Sequence, residues 1–315
     1  MTDTIRDVIL LDGGMGQELT KRSAKPPMPL WSAQVLLDEP ELVEQVHYDF
    51  IMAGARVITL SSYTATPVRL AKAGRGDDFE RLQVEAVTVA KRARWRAGRP
   101  VSLAGCLPPL IASYRPDLSP DFDDALAQYR AIVALQAPHV DLFLAETLPS
   151  AAEAEAASLA AWESGLPVWT GMTVDDADGA RLRSGEALAD GIAAARRGGA
   201  GAVLVNCSTP EAVDGAMPVL SASGIAFGAY ANGFTSVAPL RDAATVEVLS
   251  ARHDVTPAHY AEAATAWAEA GAAIVGGCCE IGPAHIAALA ERLEAGGFRL
   301  INGPLADPGP AAANA

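Results

Sequence analysis

Short, almost continuously apolar runs alternate along this chain with longer stretches whose apolar positions recur every three to four residues. Eight of the short runs read as strands: VILLDG (8–13), RVITLSSY (56–63), VSLAGCL (101–107), VDLFLAET (140–147), PVWTGMTV (167–174), AGAVLVNCS (200–208), GIAFGAY (224–230) and AAIVGGCC (272–279). PELVEQVHYDFIMAGA (40–55), FERLQVEAVTVAKRARWR (79–96) and PAHYAEAATAWAEAG (257–271) show the helical spacing between them. Strands apolar on both faces belong to a parallel sheet that helices cover. Eight such units in 315 residues fit a closed (β/α)8 TIM barrel, typically ~250 residues, better than an open doubly wound sheet. Gly54 and Gly271 stand where helices should stop, and Ser150 followed by Glu153 predicts an N-cap with a reciprocal capping box. The pattern predicts one barrel domain over residues 1–302 and a flexible Gly-, Pro- and Ala-rich tail over 303–315. The basic, Pro-rich stretch 21–29 reads as a surface loop near the barrel mouth.

In a parallel barrel the chemistry sits at the C-terminal ends of the strands. The polar or reactive residues there are Asp12, Tyr63, Cys106, Glu146, Thr173, Cys207, Tyr230, Cys278 and Cys279. Composition narrows what such a site could serve. A net charge of −14 leaves no basic surplus for nucleic-acid phosphates. No apolar run reaches the ~18 residues of a membrane span. The N-terminus lacks the basic region of a signal peptide, and four cysteines without a secreted framework point to a reducing compartment, the cytoplasm. Small-molecule substrates are the expected partners, and a homo-oligomer stays open.

The cysteines carry the strongest signal. A lone buried Cys is ordinarily a small hydrophobe, but Cys278 and Cys279 are adjacent, and Cys207 ends another strand. Neighbours in a strand point to opposite faces. Two adjacent thiols therefore share a ligand only where the backbone leaves strand geometry, as Gly276-Gly277 and the strand end permit. Three thiolates are a zinc ligand set with one tetrahedral position left for substrate. Cys106 falls outside that set. Asp12, ahead of Gly13-Gly14, reads either as a turn residue or as a carboxylate for a substrate ammonium. Glu146 closes an apolar strand and needs a partner. Tyr63 and Tyr230 pack at the rim or face an onium ion through their rings. None of the five histidines stands at a strand end, and no dinucleotide or P-loop motif is present.

LLDGGMGQEL, PLWSAQVLLDEPELV, TLSSYTAT, AETLPSAAEAEAA, VNCS and GGCCE-IGPAHI together resemble the zinc-dependent homocysteine S-methyltransferase family, from about residue 8 to residue 294. The resemblance implies a (β/α)8 barrel with zinc, Zn(2+), held by Cys207, Cys278 and Cys279, and an open position for the homocysteine sulfur. It implies that Asp12 and Glu146 grip the homocysteine amino group and that the Gly13, Gly14 and Met15 backbone lies near its carboxylate. Tyr63 and Asn206 fall on matching motif positions and are carried as substrate-site residues.

The chain departs from the family pattern at Glu280-Ile281, in the 104–116 segment and at YANGF (230–234), all bordering the methyl-donor side. No second domain for folate or cobalamin is evident, so a small onium donor is expected, S-methylmethionine ahead of S-adenosylmethionine. The alternatives are a betaine-dependent methyltransferase and a thiol-binding module that works only with a separate corrinoid protein.

Overall fold

The computed structural model describes residues 6–25, 30, 32–241 and 248–304. In chain order β1 (Arg6–Leu10) leads to α1 (Met15–Arg22), α2 (Ser32–Asp38) and α3 (Pro40–Met52), and β2 (Val57–Thr59) to α4 (Pro67–Lys72) and α5 (Phe79–Ala97). Then β3 (Ser102–Leu107) precedes α6 (Phe122–Gln136), β4 (Leu142–Leu148) precedes α7 (Ala151–Trp162), and β5 (Val168–Met172) precedes α8 (Leu188–Arg197). Finally β6 (Ala202–Asn206), α9 (Pro210–Ser221), β7 (Ala226–Tyr230), α10 (Pro257–Glu269), β8 (Ile274–Val275), α11 (Pro283–Ala295) and β9 (Phe298–Leu300) follow.

Every strand pair is parallel, in the order β2-β3-β4-β5-β6-β7-β8-β1-β9. The sheet closes between β1 and β2, where Arg56 N–H donates to Leu10 O (2.7 Å) and Asp12 N–H to Val57 O (3.1 Å). This is the expected TIM barrel, in a single domain. The ninth strand was not expected. Val8 O points to the same side of β1 as Leu10 O and accepts from Ile301 N–H (3.0 Å). β9 therefore fills the gap between β1 and β2 at the N-terminal end of the barrel. Gly303, the first residue of the expected tail, is held there by the Ser102 hydroxyl; residues 305–315 lie outside the described part.

Two apolar layers hold the fold. Ile9, Leu11, Val57, Leu144, Trp169, Leu204 and Ile274 fill the barrel interior, and a larger layer between strands and helices includes Phe50, Leu103, Phe143, Val203 and Leu289. Alternate residues of each strand face the two layers, so both faces are apolar and the runs read as continuous. The helix stops at Gly54 and Gly271 take positive φ (115° and 106°), as expected. The capping box is only half formed. Ser150 Oγ accepts from Glu153 N–H (3.4 Å), but the Glu153 carboxylate turns away to Leu110 N–H (3.0 Å), Tyr129 OH (3.1 Å) and Ser119 OH (2.6 Å). It anchors the loop after β3 and leaves its own N-cap unaided. Of the basic 21–29 stretch, Lys21 and Arg22 end α1, Lys25 pairs with Asp38 (3.1 Å), and 26–29 lie outside the described residues.

Candidate active site

The C-terminal ends of the strands open into a cleft. Asp12, Gly13, Gly14, Met15, Tyr63, Glu146, Cys207, Cys278 and Cys279 all line it, with Tyr230 and residues of the loops after β2 and β3.

The three thiols come together at one wall, all Sγ atoms within 4.8 Å of one another and Cys207 Sγ 3.6 Å from Cys279 Sγ. The backbone makes this possible. Strand β8 ends at Val275, and a turn then closes from Ile281 N–H to Cys278 O (3.0 Å) with Glu280 in the left-handed region (φ 67°). Cys207 is also left-handed (φ 49°). The turn is clamped by Cys278 N–H on Ala231 O (3.0 Å) and by Gly233 N–H on Cys279 O (2.9 Å), so the YANGF loop serves as its backing. The loop after β1 lies directly against it: Gly14 N–H donates to Ile281 O (2.8 Å), and a Cβ on Gly14 would stand 2.6 Å from Cys278 O. Only glycine fits there. Glu280 pairs with Lys21 across the same junction (2.8 Å).

Glu146 is aimed by strain. The register of β4 slips between Ala145 and Leu148, and Thr147 adopts φ 62°. Asn206 fixes that conformation, its Oδ1 accepting from Thr147 N–H (2.7 Å) and its Nδ2 donating to Thr147 Oγ1 (2.8 Å). Asn206 is fully buried behind the cleft wall, so its part in the site runs through Thr147. Cys106, outside the thiol cluster, donates to Glu146 Oε1 (3.3 Å), and Tyr230 OH donates to Oε2 (3.4 Å). Asp12 Oδ2 accepts from Thr59 N–H (2.9 Å). The Met15 amide donates to Gly13 O (2.9 Å), so with Gly14 two of the three amides near Asp12 are committed within the protein. Gln17 and Ser61 also line the cleft, and their side-chain polar atoms are buried without a hydrogen-bond partner. Each is a group that a ligand can satisfy.

Burial dominates the electrostatics. It raises Glu146 to about 7, against the hydrogen bonds from Cys106 and Tyr230. Burial also lifts Asp12 well above the carboxylate range, aided by the charge of Glu146 and opposed by the Thr59 N–H. At Cys207 burial opposes ionisation, but hydrogen bonds from Cys278, Cys279 and Tyr114 outweigh it and bring the thiol well below the usual range. Cys278 and Cys279 lie well above that range, chiefly through their hydrogen-bond contacts with Cys207. The ionisation of each thiol is thereby tied to the other two, and a divalent cation would take the place of the protons they share. Four sulfurs at ~2.3 Å around a tetrahedral ion stand roughly 3.8 Å apart, close to the 3.6 Å between Cys207 and Cys279. The residues fit a metal ion.

One neighbour of the cluster was not singled out from sequence. Tyr114, in the loop after β3, has its hydroxyl 2.9 Å from Cys207 Sγ and φ 61°. It follows no strand end, and nothing in its spacing marks it. The four non-glycine residues with positive φ, among those described, are Tyr114, Thr147, Cys207 and Glu280. All four border this site, and such strain persists where the surroundings over-determine it.

Comparison with known proteins identifies the family. Residues 9–293 match the family model described as homocysteine S-methyltransferase. The homocysteine S-methyltransferase of Escherichia coli K12 is 32% identical, covering 91% of this chain and 96% of its own. Homocysteine S-methyltransferase 4 of Zea mays is 30% identical over 90% and 88%, and a selenocysteine methyltransferase of Astragalus bisulcatus 28% over 91% and 93%. The crystal structure of the homocysteine methyltransferase MmuM from Escherichia coli, in its metallated form, superposes with a TM-score of 0.74 at 29% identity, covering 91% of this chain and 96% of that one. The chain belongs to the homocysteine S-methyltransferase family, and it is an enzyme of that activity.

Proposed function

We propose that the enzyme transfers a methyl group from a small sulfonium donor, S-methylmethionine first and S-adenosylmethionine second, to the thiol of homocysteine, with zinc at Cys207, Cys278 and Cys279. The observation that carries this reading is the convergence of three thiols on one wall of a cleft that the carboxylates of Asp12 and Glu146 also line. When bound, zinc would supply the Lewis acidity that keeps a substrate thiol ionised at neutral pH.

The chain's own residues do the rest. Asp12 and Glu146 hold the substrate ammonium, each through a charge-assisted hydrogen bond. Gln17 and Ser61 offer unspent donors to the carboxylate beside that ammonium. With the amino-acid end fixed, the side chain reaches toward the thiol cluster. Methyl transfer to sulfur is a displacement that needs alignment of nucleophile, methyl and leaving group and no general base. Tyr63 and Tyr230 line the cleft, and aromatic rings attract a cationic donor. Among the described residues no lysine or arginine lines it to repel one. The free, closely spaced thiols support work in a reducing compartment such as the cytoplasm. Among the described residues no helix is long and apolar enough to cross a membrane.

Purified zinc-loaded protein, supplied with homocysteine and a panel of donors, tests the reading. Methionine should form with S-methylmethionine, more slowly with S-adenosylmethionine, and not with methylfolate. Turnover that begins only when a corrinoid protein is added would overturn the donor assignment.

A further inference from the structure

The loop after β3 is tied down more firmly than a surface loop requires. Glu153 takes Leu110 N–H and the Ser119 hydroxyl at its two ends, and Ser113 Oγ meets Tyr63 OH at 2.9 Å. Between those anchors Tyr114 takes up the left-handed region, a strained conformation for a non-glycine residue. The strain delivers the phenol hydroxyl to Cys207 Sγ, 2.9 Å away. Arg183 sets its guanidinium 5.1 Å from the centre of the Tyr114 ring. That guanidinium is itself held by Thr173 Oγ1 (3.0 Å) and Asp176 (2.9 Å). Among the described residues, Cys207 is the one thiol of the three whose sulfur has a hydrogen-bond partner outside the cluster.

Metal binding needs Cys207 as a thiolate, which has no proton to give, so the phenol must then be the donor. A hydrogen bond to a thiolate ligand draws electron density from the sulfur. Three thiolates on a divalent ion carry a net charge of −1, and such a donor disperses part of it. Partners one step out from a metal orient its ligands and tune their basicity.

We propose that Tyr114 is a positioning residue of the metal centre, donating to the Cys207 thiolate of the loaded protein and setting how much charge that sulfur gives the ion. The inference rests on the metal assignment made above and can fail separately from it.

Tyr114→Phe keeps the ring, its packing and the Arg183 contact, and removes only the hydroxyl. Cobalt(II) in place of zinc gives a direct reading through its thiolate-to-metal charge-transfer bands. These should move to longer wavelength in Tyr114→Phe, because a thiolate without its hydrogen bond gives up charge more easily. Zinc affinity measured by chelator competition should weaken by about tenfold, the low end of the range for such partners. Incorporation of 3-fluorotyrosine at position 114, a more acidic phenol of nearly the same shape, should move the bands to shorter wavelength. This second substitution keeps the test sharp if the Phe protein is poorly folded. Bands that superimpose across all three proteins would overturn the role of Tyr114 while leaving the three-cysteine centre intact. If the unsubstituted protein shows no thiolate bands with cobalt, the metal assignment falls, and this inference with it.

Discussion

The pH dependence of homocysteine use tests the carboxylate half of the site. Glu146 sits at about 7 in the free enzyme because burial disfavours its charge, and a substrate ammonium binds its ionised form. At pH 8 roughly nine-tenths of such a group is ionised, and at pH 6 roughly one-tenth. If only the ionised form captures substrate, kcat/KM for homocysteine falls about tenfold between those pH values, with its midpoint near 7. The ammonium should pull the pKa down once bound, so kcat should hold steady to lower pH than kcat/KM. Glu146→Gln removes the titrating group. It should flatten the acid limb and lower kcat/KM at pH 8 by roughly ten- to a hundredfold, the equivalent of about 1.5–3 kcal/mol for a hydrogen bond to a charged partner. The assay is initial-rate methionine formation from pH 5.5 to 9 with donor saturating. A limb that survives unchanged in Glu146→Gln would assign the titration to another group, such as Asp12, which burial also raises, or a thiol, and refute the reasoning.

Cys106→Ala should raise the homocysteine KM and move the acid limb above 7, since the lost thiol hydrogen bond favours the charged form of Glu146; Cys106→Ser should restore both, and steady-state profiles check it. Asn206→Ala strands the buried Thr147 N–H and should cost about 1–3 kcal/mol in urea unfolding, with a larger rise in the KM for homocysteine than for the donor. His47 is buried in α3 without a partner on either ring nitrogen, and burial lowers it to about 3. The unfolded chain therefore binds a proton that the native state refuses between about pH 6.5 and 3, and stability should fall by up to about 1.4 kcal/mol per pH unit as acid is added through that window. His47→Leu should remove that slope in chemical denaturation measured across the same range.

The middles of the strands were plain in the sequence because burial on both faces leaves near-continuous apolar runs. Their ends were not. The run 56–63 gives a ladder only over Val57–Thr59, since Ser62 N–H already turns back to Leu60 O (2.8 Å). The run 272–279 pairs only at Ile274–Val275, because the residues that follow leave the sheet to bring the two sulfurs together. Strand β9 was missed for a different reason: three residues after Gly296-Gly297 carry too little pattern to register. The thiol cluster was legible because adjacent cysteines after two glycines are rare. Tyr114 and the hydrogen bond from Cys106 to Glu146 were not, since both depend on where a loop or a neighbouring strand lies in space. Glu153 shows the same limit, a capping signal by spacing whose carboxylate is spent on the next loop.

The central claim is that methyl transfer to homocysteine depends on a metal held by Cys207, Cys278 and Cys279, and metal reconstitution tests it most directly. Protein stripped by a chelator should make no methionine from homocysteine and S-methylmethionine. Activity should return as zinc is added, saturating at one ion per chain, and should fail to return in Cys279→Ala although that variant keeps its fold by circular dichroism. Full turnover by the stripped protein, or full zinc retention and turnover by Cys279→Ala, would contradict the account.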